Sequence, residues 1–254
     1  MNSSLGHALL NGALWSILSI IALAAFSEPA HANSILYEIV EDPHASLYRN
    51  GVRVGSIGFG GTSLAWYAEG GVLLTISETA FVETIIAIDP LTGAGSARGS
   101  FSSAITSGIH GLEFNPLTGI LYGIDTTRLY TIDPNTAAIS FVVTLAGLTG
   151  AQALTFDGSG NAFVYDSDLN GLYSVNIATG QTSLLSQPTQ YVRGLAWNPD
   201  TGQLYLSPNN GATIVPGTSS PVPEPFSIGL LAAVSIGLVA RRQSGKTQTS
   251  PTVT

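Results

Sequence analysis

Four segments of this 254-residue chain can be laid over one another: "SLAWYAEGGVLLTI" from Ser63, "GLEFNPLTGILYGID" from Gly111, "ALTFDGSGNAFVYD" from Ala153 and "GLAWNPDTGQLYLS" from Gly194. An aromatic holds one position throughout (Trp66, Phe114, Phe156, Trp197), and the next residue opens a turn (Tyr67, Asn115, Asp157, Asn198), with spacings of 48, 42 and 41. A second pattern follows each of the first three copies: "TIIAIDPLTG" from Thr84, "RLYTIDPNTA" from Arg128 and "GLYSVNIATG" from Gly171. "SLYRNGVRVG" from Ser46 is a degenerate fourth copy of it. A period in the low forties means that one supersecondary unit recurs, and that each unit buries its faces against its neighbours.

Each unit reads as four short strands. In the second copy, "GLEF" ends in an aromatic, and Asn115-Pro116-Leu117-Thr118-Gly119 then makes a turn. Proline presets φ, the asparagine side chain can bond its own backbone, and glycine accepts a positive φ. "ILYGI" and "RLYTI" are the next two strands, and Asp133-Pro134-Asn135-Thr136 turns the chain into "ISFVVTL". A closed ring of such units is a β-propeller, with the aromatics packing against the adjoining sheet. The expected fold is therefore all-β, a small propeller of about four, or five, four-stranded blades over residues 33–208. An open β-solenoid is the alternative. After the first 32 residues the chain begins with second-half strands ("ILYEIV", "SLYRN", "RVGSI") and it ends with first-half strands ("GLAW", "QLYLS"). Joined into one composite blade, these would seal the ring and hide its edges.

The middle of the chain resembles bacterial propeller repeats of the NHL/SMP-30 and WD40-like kind, on "DGSGNAFVYD" and "GLAWNPDTGQLYLS". The resemblance covers most of residues 63–207. Such folds carry enzymes, ligand binders and scaffolds alike, so it implies a fold and leaves function to the site.

Charge narrows the partners. Between Asn33 and Ser220 fourteen acidic residues stand against five arginines and no lysine. A surface of that sign repels phosphate backbones, so no nucleic-acid partner is expected. The chain has no cysteine, which excludes disulfides, thiolate metal sites and cysteine nucleophiles.

Candidate chemistry is sparse. Outside the first 32 residues there are only two histidines, His44 in "EDPHAS", which reads as a loop, and His110 before a first strand, and both read as ordinary turn or surface residues. The string "DSDLNG" matches the first six positions of a calcium loop, with Asp166, Asp168 and Asn170 as the oxygen side chains. The position of the closing glutamate holds Ile177, and a strand connection explains the same residues, so the expectation is a turn, with a Ca²⁺ site as its alternative and no other cofactor. Asp125, Asp166 and Ser207 follow equivalent strands, and Asp89, Asp133 and Asn176 follow another set, as repeated turns require. Two carboxylates about 5 to 9 Å apart in a cleft would instead indicate glycoside cleavage.

The two ends of the chain read as addresses. Residues 1–32 carry an apolar stretch ending at Phe26 and a small-x-small step, Ala30-His31-Ala32, as in a secretory signal peptide handled by the Sec translocon and signal peptidase, although no Lys or Arg precedes the apolar run. Residues 209–221 are small, polar and proline-rich, as in a linker. Residues 226–240 carry no charge. As a helix they would span about 22 Å, short against a hydrocarbon core of roughly 30 Å, with Arg241 and Arg242 holding the end on the cytoplasmic side. Val222-Pro223-Glu224-Pro225, the apolar helix and the Arg241-Arg242 pair resemble the PEP-CTERM sorting signal of Gram-negative bacteria, followed here by a tail over residues 243–254. The resemblance implies an exosortase as partner and processing near the Pro-Glu-Pro step. It also implies a transient stay in the inner membrane, then delivery to the cell envelope, surface or extracellular matrix of a species that makes exopolysaccharide and biofilm. The expected function is a non-enzymatic binding or scaffold module, with exopolysaccharide or other matrix components as partners; the alternative is an extracytoplasmic propeller hydrolase or lyase acting on sugars or lactones.

Overall fold

A computed structural model of the chain describes residues 34–42, 44–79, 82–101 and 108–216. The signal-peptide and sorting-signal readings, with their two helices, lie outside these residues. The described residues are all-β and contain no helix.

Among the described residues eighteen strands form five sheets. The first holds β1 (Ile35–Asp42), β2 (His44–Arg49) and β3 (Val52–Ser56). The second is β4 (Ala65–Tyr67), β5 (Val72–Thr79), β6 (Val82–Ile88) and β7 (Gly95–Ser100). The third is β8 (Gly111–Phe114), β9 (Leu121–Ile124), β10 (Arg128–Ile132) and β11 (Ile139–Thr144). The fourth is β12 (Ala151–Phe156), β13 (Ala162–Asp166), β14 (Gly171–Val175) and β15 (Thr182–Ser186). A fifth, two-stranded sheet pairs β16 (Gly194–Asn198) with β17 (Gln203–Ser207), and β18 (Gly211–Val215) returns to pair with β1. The result is a propeller-like ring of four four-stranded antiparallel blades, with the two-stranded sheet between the last blade and the first.

The expected turns are present. Asn115 Oδ1 accepts the Leu117 N–H at 2.9 Å, and Gly119 has φ of 67°. Asp89, Asp133, Asn176 and Asn198 anchor the same kind of turn through the N–H two residues on. His44 is exposed at the start of β2, opposite Asp42 across the β1–β2 hairpin, rather than in a loop.

Ring closure differs from the expected composite blade. "GLAW" and "QLYLS" pair with each other, and the strand that joins the N-terminal blade is "GATIV", Gly211–Val215, inside the segment expected to be a linker. The reason is register. Gly211-Ala212-Thr213-Ile214 repeats the Gly-x-x-apolar order of Gly111 to Phe114 and Gly194 to Trp197, with isoleucine in place of the aromatic. Its β-branched Thr213, Ile214 and Val215 suit a pleated, half-buried surface.

Four apolar clusters each bridge neighbouring sheets. Leu47 and Ile39 meet Leu73 and Ile88, Leu74 and Ile85 meet Leu112 and Leu121, Ile124 and Leu129 meet Leu154 and Val164, and Tyr165 and Leu172 meet Val192 and Leu195. No sheet buries its faces alone, as the repeat period requires. The junction of β17 with β1 also carries polar bonds. Glu38, only 8% exposed, accepts hydrogen bonds at Oε1 from Ser207 Oγ (2.6 Å), Asn209 Nδ2 (3.0 Å) and the Tyr205 hydroxyl (3.2 Å).

Candidate functional site

The inner strands β4, β8, β12, β16 and β18 neighbour one another in a closed ring, and the repeat brings equivalent residues to the same level. Leu64, Leu112, Leu154, Leu195 and Ala212 form one level, none more than 3% exposed. They surround a void of only about 10 Å³ and plug one end of the ring's axis. Gly111 and Gly211 allow this approach. A Cβ on Gly111 would meet the Leu154 backbone nitrogen at 2.7 Å, and one on Gly211 would meet the Ser63 backbone carbon at 2.7 Å. His110 lines this closed end, its N–H bonded to the Ile124 carbonyl.

Beyond the plug the axis widens into a cup of about 700 Å³, a size suited to a small-molecule ligand. At the level just past the leucines stand Ala65, Glu113, Thr155, Ala196 and Thr213, of which Glu113, Thr155 and Thr213 line the cup. The next level carries Trp66, Phe114, Phe156, Trp197 and Ile214, all of them lining residues. The repeated aromatics thus serve packing and wall together: Phe156 is buried, whereas Trp66, Phe114 and Trp197 are half-buried. Tyr67, the residue that opens the first turn, stacks on Phe114 with ring centroids 5.4 Å apart and planes at 6°.

The floor has one ionisable group. Glu113 accepts the Phe114 N–H at Oε1 (2.9 Å), and its other oxygen has no hydrogen bond among the described residues. Glu113 is half-buried, but the crowding of its carboxyl pushes it up to about 8, against the smaller opposing pull of the Phe114 N–H, so its protonated form predominates at neutral pH. Thr155 is 1% exposed, and its hydroxyl has no hydrogen-bond partner among the described residues. Three further carboxylates, Glu69, Asp133 and Asp157, line the cup farther out. The Asn135 N–H, followed by Thr136, holds Asp133 below its ordinary value and therefore ionised. Among the described residues no Lys, Arg or His lines the cup.

The residues matched to a calcium loop serve the β13–β14 connection. Asp166, 0% exposed, accepts the Asp168 and Leu169 N–H groups at Oδ1 and the Thr149 and Gly150 N–H groups at Oδ2. Asn170, at φ of 48°, accepts the Tyr165 hydroxyl and donates to the Pro188 carbonyl, while Asp168 is exposed and lies against Gly150. Among the described residues no group of three or more His, Asp or Glu could hold a metal ion. Asp125 holds the equivalent position in the preceding blade, where it accepts the Thr127 and Arg128 N–H groups, the Arg128 guanidinium and the Tyr130 hydroxyl. Ser207 is its buried counterpart in the two-stranded sheet. The sorting residues Val222, Pro223, Glu224, Pro225, Arg241 and Arg242 lie outside the described residues.

Asp125 makes acid sensitivity a measurable property. Burial alone would raise its carboxyl, but the Thr127 N–H, the Arg128 guanidinium and the Tyr130 hydroxyl together outweigh burial and hold it below the ordinary carboxylate range. Its proton is therefore held more weakly in the folded than in the unfolded state. The resulting stability is present above the unfolded value and lost as pH falls through the folded one. The melting temperature of the full chain should fall on acidification below about pH 4, and Asp125→Asn should flatten that decline.

Sequence reasoning did not single out Glu113 or Thr155. The available signal was a departure from the repeat: the position before the aromatic is Ala65, Glu113, Thr155 and Ala196 in the four copies.

No family model matches the sequence, and no curated protein matches it. Among solved structures, the fold is similar to that of a structural-genomics protein of unknown function from Bacteroides thetaiotaomicron, with a TM-score of 0.53 and 16% identity. The match covers 69% of this chain and 50% of that one, so the chain spans half the length of that protein. A second similar structure is a nidogen/laminin complex, with a TM-score of 0.50 and 13% identity over 67% of this chain and 68% of that one. At these identities the likeness shows a shared fold alone.

Proposed function

We propose that the chain is an exported binding or scaffold module of the cell envelope or extracellular matrix, sorted through its PEP-CTERM-like signal, with the cup as its binding surface. The carrying observation is the cup itself: one end of the ring is plugged by leucines, and the other opens on half-buried Trp66, Phe114 and Trp197. Aromatic faces left partly uncovered at a concave site suit a ligand with an apolar or π-binding face. Pro216, the last described residue, lines the cup, and the ten residues from there to Phe226 can reach at most ~35 Å. On the sorting reading, the cup is held close to the membrane until the Pro-Glu-Pro step is processed.

Fractionation of strains with and without the exosortase, with intact-mass analysis, tests the sorting. Processing should lower the mass and move the protein to the envelope or matrix only where the exosortase is present. An unchanged mass and location in both strains would refute it.

Glu113 favours the second reading, an extracytoplasmic hydrolase or lyase, because a carboxyl protonated at neutral pH can act as a general acid. Incubating the full chain with a panel of sugars and lactones separates the two. Turnover abolished by Glu113→Gln would replace the binding module with the enzyme.

A further inference from the structure

We propose that the cup takes an organic cation, an ammonium group on a small body, held between the aromatic walls and the carboxyl of Glu113. This inference rests on the binding-module reading and specifies its ligand. Three independent observations on the cup converge.

The first is the sign of the lining. Among the described residues its ionisable acids are Glu69, Glu113, Asp133 and Asp157, and no basic side chain lines it. Arg98 touches the Tyr67 ring and donates to Asn135, but does not line the cup. An anionic ligand would meet like charge across the lining, and the nearby Arg98 guanidinium is already engaged by Tyr67 and Asn135. A cation is drawn by both the lining and the net charge of −8.

The second is the aromatic wall. Rings present negative π faces, and an ammonium group within about 6 Å of a ring centroid is attracted to them. Trp66, Phe114 and Trp197 are only half-buried, so they retain surface for such a contact, whereas the Tyr67 ring is already engaged by Phe114 and the Arg98 guanidinium.

The third is the floor. One Glu113 oxygen has no hydrogen bond among the described residues, and the Thr155 hydroxyl, 1% exposed, has none either. A buried hydroxyl such as that of Thr155 ordinarily has a partner, and a hydroxyl on the ligand's body supplies one, while the free oxygen of half-buried Glu113 is left to the ammonium.

The same geometry sets a pH dependence. Tyr122 stands opposite Glu113 across the strand pair, and the titratable groups that share the cup with it farther out are Tyr67 and Glu69 from the second sheet, Asp133 from the third and Asp157 from the fourth. The lining of β16 and β18 contributes Trp197, Thr213 and Ile214, which do not titrate. An arriving cation offsets the cost of ionising the Glu113 carboxyl where it is buried, and displaces its proton. Affinity should therefore rise with pH until about 8 and then level off.

Titration of Trp fluorescence on the full chain, with choline and its neutral isostere 3,3-dimethylbutan-1-ol, tests the inference at about pH 6 and about pH 8.5. Choline should bind about tenfold or more tighter at the higher pH, and the isostere should bind at least about tenfold more weakly than choline there. Glu113→Gln should remove both the pH dependence and the advantage of choline. Thr155→Val should weaken choline binding a few-fold without lowering the melting temperature. Equal binding of choline and the isostere, or a Glu113→Gln variant that binds choline like wild type, would overturn the inference. So would the absence of choline binding by a chain with an intact melting transition. Glucose binding without choline binding would overturn it while leaving the binding-module reading standing, and turnover of glucosides would overturn that reading itself.

Discussion

Replacing Gly211 with alanine is expected to lower the melting temperature of the chain by about 10 °C. Gly211 is where β18 meets β4 and the ring closes. A single added methyl would meet the Ser63 carbonyl carbon at 2.7 Å and the Leu64 nitrogen at 2.9 Å. Both are backbone atoms, so no rotamer can relieve the contact. Two inner strands, and with them the first two blades, must separate. Overpacking in a well-packed site costs about 1 to 3 kcal/mol, and a clash with main chain belongs at the upper end. A domain of this size loses roughly 2 to 4 °C per kcal/mol. Gly60→Ala is the control, since its Cβ would meet only the Ser77 hydroxyl at 3.6 Å, an ordinary contact; it should be nearly neutral. Thermal unfolding followed by circular dichroism measures both. If Gly211→Ala melted within about 2 °C of wild type, ring closure through β18 would be wrong.

The period of the repeat made the blades legible, because the aromatic position and the turn residues recur together: Asn115-Pro116 to Gly119 folds as its chemistry dictates. The closing strand was harder to read. "GATIV" has no aromatic, and it is flanked by Asn209-Asn210 and Pro216-Gly217, so composition alone gives a linker. Only register against Gly111 and Gly194 shows an inner strand, and register gains meaning once the ring is known. The candidate site was hidden for a similar reason. Glu113 lies between Leu112 in the plug and Phe114 on the wall, so a single residue step decides whether a side chain faces core or ligand. Sequence gives the step but not the axis around which five strands gather. Asp166 shows the converse. Its calcium-like string was legible, whereas its four N–H donors come partly from Thr149 and Gly150, sixteen or more residues upstream.

The second large effect is expected at that residue. Asp166→Ala should destabilise the chain by about 4 kcal/mol, because four backbone N–H groups around a site with 0% exposure lose their acceptor together. Two of those donors fix the β13–β14 turn and two fix the chain entering β12, so the loss falls on both strand connections. Asp166→Asn keeps an oxygen for one pair and turns an NH₂ group toward the other. It should lie between alanine and wild type if its oxygen stays with Asp168 and Leu169. The same geometry bears on calcium. A carboxylate has about four lone-pair sites, and here all four are occupied by N–H donors. A cation would have to displace them and thereby undo the turn that positions Asp168 and Asn170. Calcium at about 1 mM should therefore leave the wild-type melting temperature unchanged, and a chelator should do the same. A rise of several degrees with calcium, lost in Asp166→Asn, would show that the carboxylate exchanges its backbone donors for the metal.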